Sequence, residues 1–178
     1  MFGKNTMFYR IIKDFLVKKQ IKKSLALGLF AVSNEPIKTI GILVDGIHFS
    51  DKDKLVNEFN KYANGNFKVN LLVYRNKAKK DESIEYSYFT KSDIGFTGSF
   101  SKGEIDDFVA FPFDLLVNYY DDSNADLELI TSSSKAKFKV GFASVNKDLN
   151  HFFVATFVDK YMDFTQVLFD YLKILKKI

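Results

Sequence analysis

IKTIGILVD, residues 37–45, is a nearly continuous apolar run rich in β-branched residues, the pattern of a central strand buried on both faces. Ser50 and Asp53, three apart just before LVNEF, resemble a capping box and predict a helix over about 51–63. Asn64-Gly65-Asn66 stops that helix, and FKVNLLVYR, residues 67–75, reads as the next strand. A strand–helix–strand unit of this length implies a parallel sheet.

Working outward, Asn76 to Ser83 is a charged connector, Ile84 to Phe89 alternates like a short strand, and residues 90–100 read as loop. Ser101 with Glu104 suggests a second capping box, opening a helix over about 101–111 that Pro112 ends. FDLLVNYY (113–120) is a further strand. Helix is expected over 124–134, strands over 138–143 and 151–158, and a closing helix over 163–177. Together these predict a Rossmann-like three-layer α/β sandwich with a mostly parallel sheet of about five or six strands. The expected division is a basic helical arm, residues 1–36, and a single α/β domain, residues 37–178.

The arm reads as helix over 7–27, where neither Pro nor Gly occurs. Phe8, Ile11, Ile12 and Phe15 share one face at i, i+3, i+4 and i+7, an apolar anchor about three turns long. Lys18, Lys19 and Lys22 then fall where that stripe would continue, and Ile21 and Leu25 shift to a neighbouring face. The formal charge of +4 is divided unevenly: residues 1–38 hold eight basic and two acidic residues, a net of +6, and the remaining 140 residues carry −2. The arm, through Lys13, Lys18, Lys19, Lys22 and Lys23, thus suits three partners: an anionic membrane surface, nucleic-acid phosphates, or a protein surface of the same or another protomer.

Composition narrows the chemistry. The chain has no cysteine, so disulfides and thiolate chemistry are excluded, which suits a cytoplasmic setting. No apolar run approaches the ~20 residues that span a bilayer. The twenty phenylalanines fill a core without requiring hydrogen-bond partners. Only His48 and His151 are present, and no G-x-S-x-G elbow accompanies them, so neither a serine triad nor a zinc site is expected. No dinucleotide or P-loop fingerprint follows the first strand, and Asp51 and Asp53 at the next helix start would repel a phosphate. Thr97-Gly98-Ser99 and Ser132-Ser133-Ser134-Lys135 read as loop and helix-end chemistry. No cofactor or metal is expected.

In open sheets of this class, ligands bind beyond the strand carboxyl ends where the strand order reverses. If the strands at 37–45 and 113–120 are neighbours there, Asp45, His48, Asn118, Asp121 and Asp122 come together. Such a group can act as acid and base or hold Mg²⁺; alternatively its aspartates cap the following helices and His48 is solvated.

Residues 113–142 resemble the N-terminal domain of heptosyltransferase-type glycosyltransferases, through Phe113-Asp114-Leu115-Leu116-Val117 and Ala136-Lys137-Phe138-Lys139-Val140-Gly141-Phe142. That resemblance implies an α/β fold and a sugar-related ligand. Over nearly its full length the chain resembles an uncharacterised family of short bacterial proteins of unknown function. The functional expectation is a non-catalytic adaptor or binding protein attached through its basic helix, in the cytoplasm or peripheral to the inner membrane face. The alternative is a small enzyme, or a degenerate glycosyltransferase-like domain, binding a sugar or phosphorylated metabolite at the strand ends.

Overall fold

The computed structural model describes residues 3–26, 35–63, 67–77 and 86–178, and the side chains of these except 3–10 and 63. The elements are α1 (Gly3–Ala26), β1 (Thr39–Asp45), α2 (Lys52–Ala63), β2 (Lys68–Arg75), β3 (Ser87–Thr90), α3 (Gly103–Ala110), β4 (Leu115–Tyr119), α4 (Ala125–Ser133), β5 (Lys139–Phe142), β6 (Phe152–Val154) and α5 (Tyr161–Ile174). The six strands lie in the order β3-β2-β1-β4-β5-β6, and every neighbouring pair is parallel. This is the Rossmann-like α/β sandwich the alternating strand and helix patterns predict.

Strand side chains alternate between two helical layers. Ile40, Ile42 and Val44 of β1 meet Leu55 and Phe59 of α2 and Phe164 and Leu168 of α5. Leu43 of β1 and Leu116 of β4 meet the opposite layer, with Ile21 of α1, Ile105 of α3 and Leu127 of α4. With an apolar layer on both sides, β1 and β4 require the continuous hydrophobic runs seen in the sequence. Gly41 is needed on the second side because a Cβ there would lie 2.8 Å from the Phe113 ring.

The strand starts are tied by Asp114. Its Oδ2 accepts from the backbone N–H groups of Lys38 and Thr39, each at 3.0 Å, and from Thr39 Oγ1 at 2.9 Å. Its Oδ1 accepts from Lys137 Nζ at 2.9 Å. Partial burial pushes the Asp114 carboxyl up, but these donors outweigh it and hold the group below the usual carboxylate range. Asp114 of FDLLV and Lys137 of AKFKVGF therefore join β1, β4 and β5 at the end of the sheet opposite the strand carboxyl ends.

Some local expectations give way. The strand expected over 151–158 shortens to three residues. The Ser101–Glu104 capping box does not form: α3 starts after Lys102, and the Ser101 hydroxyl donates to the Asp93 carbonyl at 3.2 Å. The Asn64-Gly65-Asn66 stop, residues 78–85 of the connector and expected edge strand, and the arm's end after Ala26 with Asn34 lie outside the described residues.

Candidate functional site

Two regions follow from the sequence expectations. The first is the crevice at the reversal of strand order, where β1 pairs with β2 on one side and β4 on the other. Asp45 ends β1 and is buried. Its Oδ1 accepts from Ile47 N–H and its Oδ2 meets His48 Nδ1, both at 2.9 Å. Gly46 makes this turn possible: its N–H donates to the Tyr74 carbonyl at 3.0 Å, and a Cβ there would lie 2.5 Å from Val73 Cγ1. The result is an imidazole 57% exposed, held by a carboxylate that is not.

The hydrogen bond to Asp45, and then its charge, raise the His48 pKa above 6.5; Asp122 and Asp121 add to the rise through their fields. Asp45, His48, Asp121 and Asp122 thus share one electronegative end of the sheet. Asp121 is partly committed elsewhere, with Oδ2 accepting from Val158 N–H at 3.4 Å and its carbonyl accepting from Ser144 Oγ at 2.7 Å. Among the described residues no three histidine, aspartate or glutamate side chains group as a metal ion would require.

Asn118 does not reach the crevice. It is buried under α4, where its Nδ2 donates to Asn150 Oδ1 at 2.6 Å and its Oδ1 accepts from Thr131 Oγ1 at 2.9 Å. Sequence reasoning missed Tyr74 and Asp126, which meet beside this end: Tyr74 hydroxyl donates to Asp126 Oδ2 at 3.0 Å. Burial first, and the Asp126 charge second, push the Tyr74 pKa well above its usual value. Asp126 lies in the first turn of α4, whose cap is Asn124, accepting from Asp126 N–H at 3.0 Å and Leu127 N–H at 3.5 Å. An N-x-D pattern after a strand, here Asn124-Ala125-Asp126, carries this cap signal. The crevice can bind a cation or transfer a proton, but its carboxylates disfavour a phosphate.

The second region is α1. Val17 and Ile21 are buried in the core cluster beneath α4, with Leu25 packed beside them. That row, spaced i, i+4 and i+8, fixes the helix on the body. Lys13 is also used inward, donating to the carbonyls of Lys91 at 2.8 Å and Ile94 at 2.5 Å. Of the expected anchor residues, Ile11 is 55% exposed and Phe15 is 66% exposed, whereas Ile12 is half-buried. The Phe8 side chain lies outside the described residues. Lys18, Lys19, Lys22 and Lys23 are all exposed. At 100° per residue, Ile11, Phe15, Lys18 and Lys22 fall in one row along the helix.

α1 therefore packs on its own protein through Val17, Ile21 and Leu25, while Ile11 and Phe15 of the expected stripe stay exposed. The division expected at residue 36 falls just beyond residues 27–34, which lie outside the described residues; α1 itself is part of the packed core.

Comparison with protein families gives a match to the model described as Family of unknown function (DUF6913), over residues 13–175. The chain belongs to this family. The match begins within α1 and includes Val17, Ile21, Leu25 and the four exposed lysines. No curated protein and no solved structure matches the chain. These comparisons do not show the heptosyltransferase resemblance expected over residues 113–142, a stretch in which Asp114 and Lys137 serve the strand tie described above.

Proposed function

We propose that this protein is a non-catalytic adaptor that docks on anionic membrane surfaces through the outward face of α1. The carrying observation is the row of exposed Ile11, Phe15, Lys18 and Lys22, flanked by exposed Lys19 and Lys23, on a helix clamped from behind. Basic residues near an anionic surface contribute about 1 kcal/mol each, so four lysines alone give roughly millimolar binding. Partial insertion of two large apolar side chains, about 1–2 kcal/mol each, brings the affinity toward the micromolar range. No helix among the described residues is long and apolar enough to cross a membrane, so this attachment is peripheral.

Co-sedimentation with phosphatidylglycerol/phosphatidylcholine vesicles, pure phosphatidylcholine vesicles and a single-stranded RNA tests the reading. The expected result is salt-sensitive binding to the anionic vesicles, lost in a Lys18→Glu/Lys22→Glu variant. RNA binding without vesicle binding would replace the membrane with nucleic acid, and binding to neither would overturn the proposal.

A second reading rests on the Asp45–His48 pair. A half-exposed imidazole oriented by a buried carboxylate at the strand-order reversal is the arrangement of a general base. It favours a small enzyme acting on a neutral or cationic substrate. Soaking sugars and amines while following the His48 ring resonances tests it, and no shift with either class would leave the pair a structural turn.

A further inference from the structure

β6 has three residues and, among the described strands, pairs with β5 alone. Leu116 N–H of β4 donates to the Phe138 carbonyl, so Lys139, the next residue, turns its own backbone groups toward β6. One residue serves both of them there. His151 N–H donates to the Lys139 carbonyl at 2.8 Å, and Lys139 N–H donates to His151 Nδ1 at 2.9 Å. A parallel ladder ordinarily gives such an N–H a strand carbonyl. Here the acceptor is an imidazole nitrogen, which accepts only while it carries no proton. The half-buried ring lies against Phe138, with the ring centroids 5.5 Å apart.

We propose that His151 is an acid-sensitive latch, whose ring protonation gives up the Lys139 N–H and frees the start of β6 from β5. An imidazolium carries N–H at both ring nitrogens, so Nδ1 would then meet a second donor and the bond is lost. Free imidazole takes up its proton at about pH 6.5. The clamp requires the neutral ring, so it is complete above that range and lost as pH falls through it. Several charged or titratable groups belong to the segments that meet here. Lys139 of β5 sends its ammonium into the core to the Thr131 carbonyl at 2.7 Å, and Lys137 is taken up by Asp114. Lys177 lies over the Phe138 ring at 5.8 Å, Tyr171 of α5 stacks on Phe152 at 3.8 Å, and the preceding turn carries exposed Lys147 and Asp148. A ring proton therefore adds a positive charge to a neighbourhood that already holds Lys139 and Lys177.

Release of the latch bears on the strand carboxyl ends. β6 runs into residues 155–160, where Val158 N–H donates to Asp121 Oδ2 at 3.4 Å and the Val158 carbonyl accepts from the Tyr119 hydroxyl at 2.7 Å. A loosened β6 slackens this segment and with it the brace on Asp121. The opening is local, because Asn150, just before the latch, stays tied through its Oδ1 to Asn118 Nδ2 at 2.6 Å. The latch rests on neither the lysine face of α1 nor the Asp45–His48 pair, so vesicle binding and His48 chemistry neither support nor weaken it.

The test uses the full chain, followed by NMR at about pH 7 and about pH 5, on either side of the imidazole range. At the higher pH the ring nitrogen shifts of His151 are expected to show a neutral ring protonated at Nε2. Protection of the Lys139 amide, corrected for the pH dependence of intrinsic exchange, is expected to fall about tenfold at the lower pH, the loss of one hydrogen bond. Leu43 in the central strand β1 should keep its protection. His151→Gln supplies a carboxamide oxygen that accepts without titrating, and should hold the Lys139 amide equally at both pH values. A ring protonated at Nδ1 at the higher pH, or a Lys139 amide equally protected at both, would overturn the proposal, and neither result needs a variant. An equal fall in the folded His151→Gln protein would assign the effect to another group and also overturn it.

Discussion

On the inward side of α1, Val17, Ile21 and Leu25 meet α4, whereas on the outward side Ile11 and Phe15 stand in solvent ahead of four exposed lysines. Both sides use the same two kinds of residue, apolar and basic, yet only one is packed. Lys13 makes the contrast sharper, because it belongs to the basic arm and is consumed by two backbone carbonyls of the body. The number of basic residues in a segment therefore overstates the charge it presents. Position around the helix decides which of them remain available.

The largest effect that distinguishes the two sides belongs to Ile21, which is 3% exposed. Ile21→Ala should cost about 2–4 kcal/mol of folding stability, read by urea denaturation, through lost burial and a cavity beneath α4. Next comes Lys13→Met, which removes the donor to Lys91 and Ile94; a loss of about 1–2 kcal/mol is expected, with vesicle affinity almost unchanged. Smallest in stability is charge reversal of Lys18, Lys19, Lys22 and Lys23 together, where a change within about 0.5 kcal/mol is expected of exposed positions while vesicle binding disappears. A large stability loss in that fourfold variant would show that the outward row is packed and would remove the contrast.

Most of the fold was legible because its strands are buried on both faces. IKTIGILVD and FDLLVNYY have no polar alternation to confuse their reading, and Gly or Pro marks several of their borders. The inward row of α1 was not legible, since Val17, Ile21 and Leu25 are interleaved with lysines and compete with the denser Phe8–Phe15 stripe. Nor was the inward role of Lys139, a lysine that the strand alternation places under α4. Its ammonium donates to the Thr131 carbonyl at 2.7 Å, and burial pushes its pKa down to about 8. Of the crevice residues, Asp45 and His48 were found because they follow a confident strand. Tyr74 and Asp126 were missed because their contact joins residues 52 positions apart.

The crevice repeats the pairing of a buried group with an exposed one on a smaller scale. Asp45→Asn should lower the His48 pKa toward 6.5, read by NMR titration of the ring. Because the folded-state pKa is raised, the stabilisation from this pair is fully present below the unfolded histidine value and is lost as pH rises through the folded one. The imidazole is too exposed for that contribution to be large.

The membrane reading of α1 has a direct test, aided by the absence of native cysteine. A Phe15→Cys variant carrying an environment-sensitive fluorophore reports the outward face of the helix, and a Met162→Cys variant reports an exposed position on α5 in the opposite layer. With phosphatidylglycerol-containing vesicles the label at position 15 should shift to shorter wavelength while that at 162 stays unchanged, and neither should respond to pure phosphatidylcholine. An unresponsive label at position 15, or equal shifts at both positions, would contradict docking through α1.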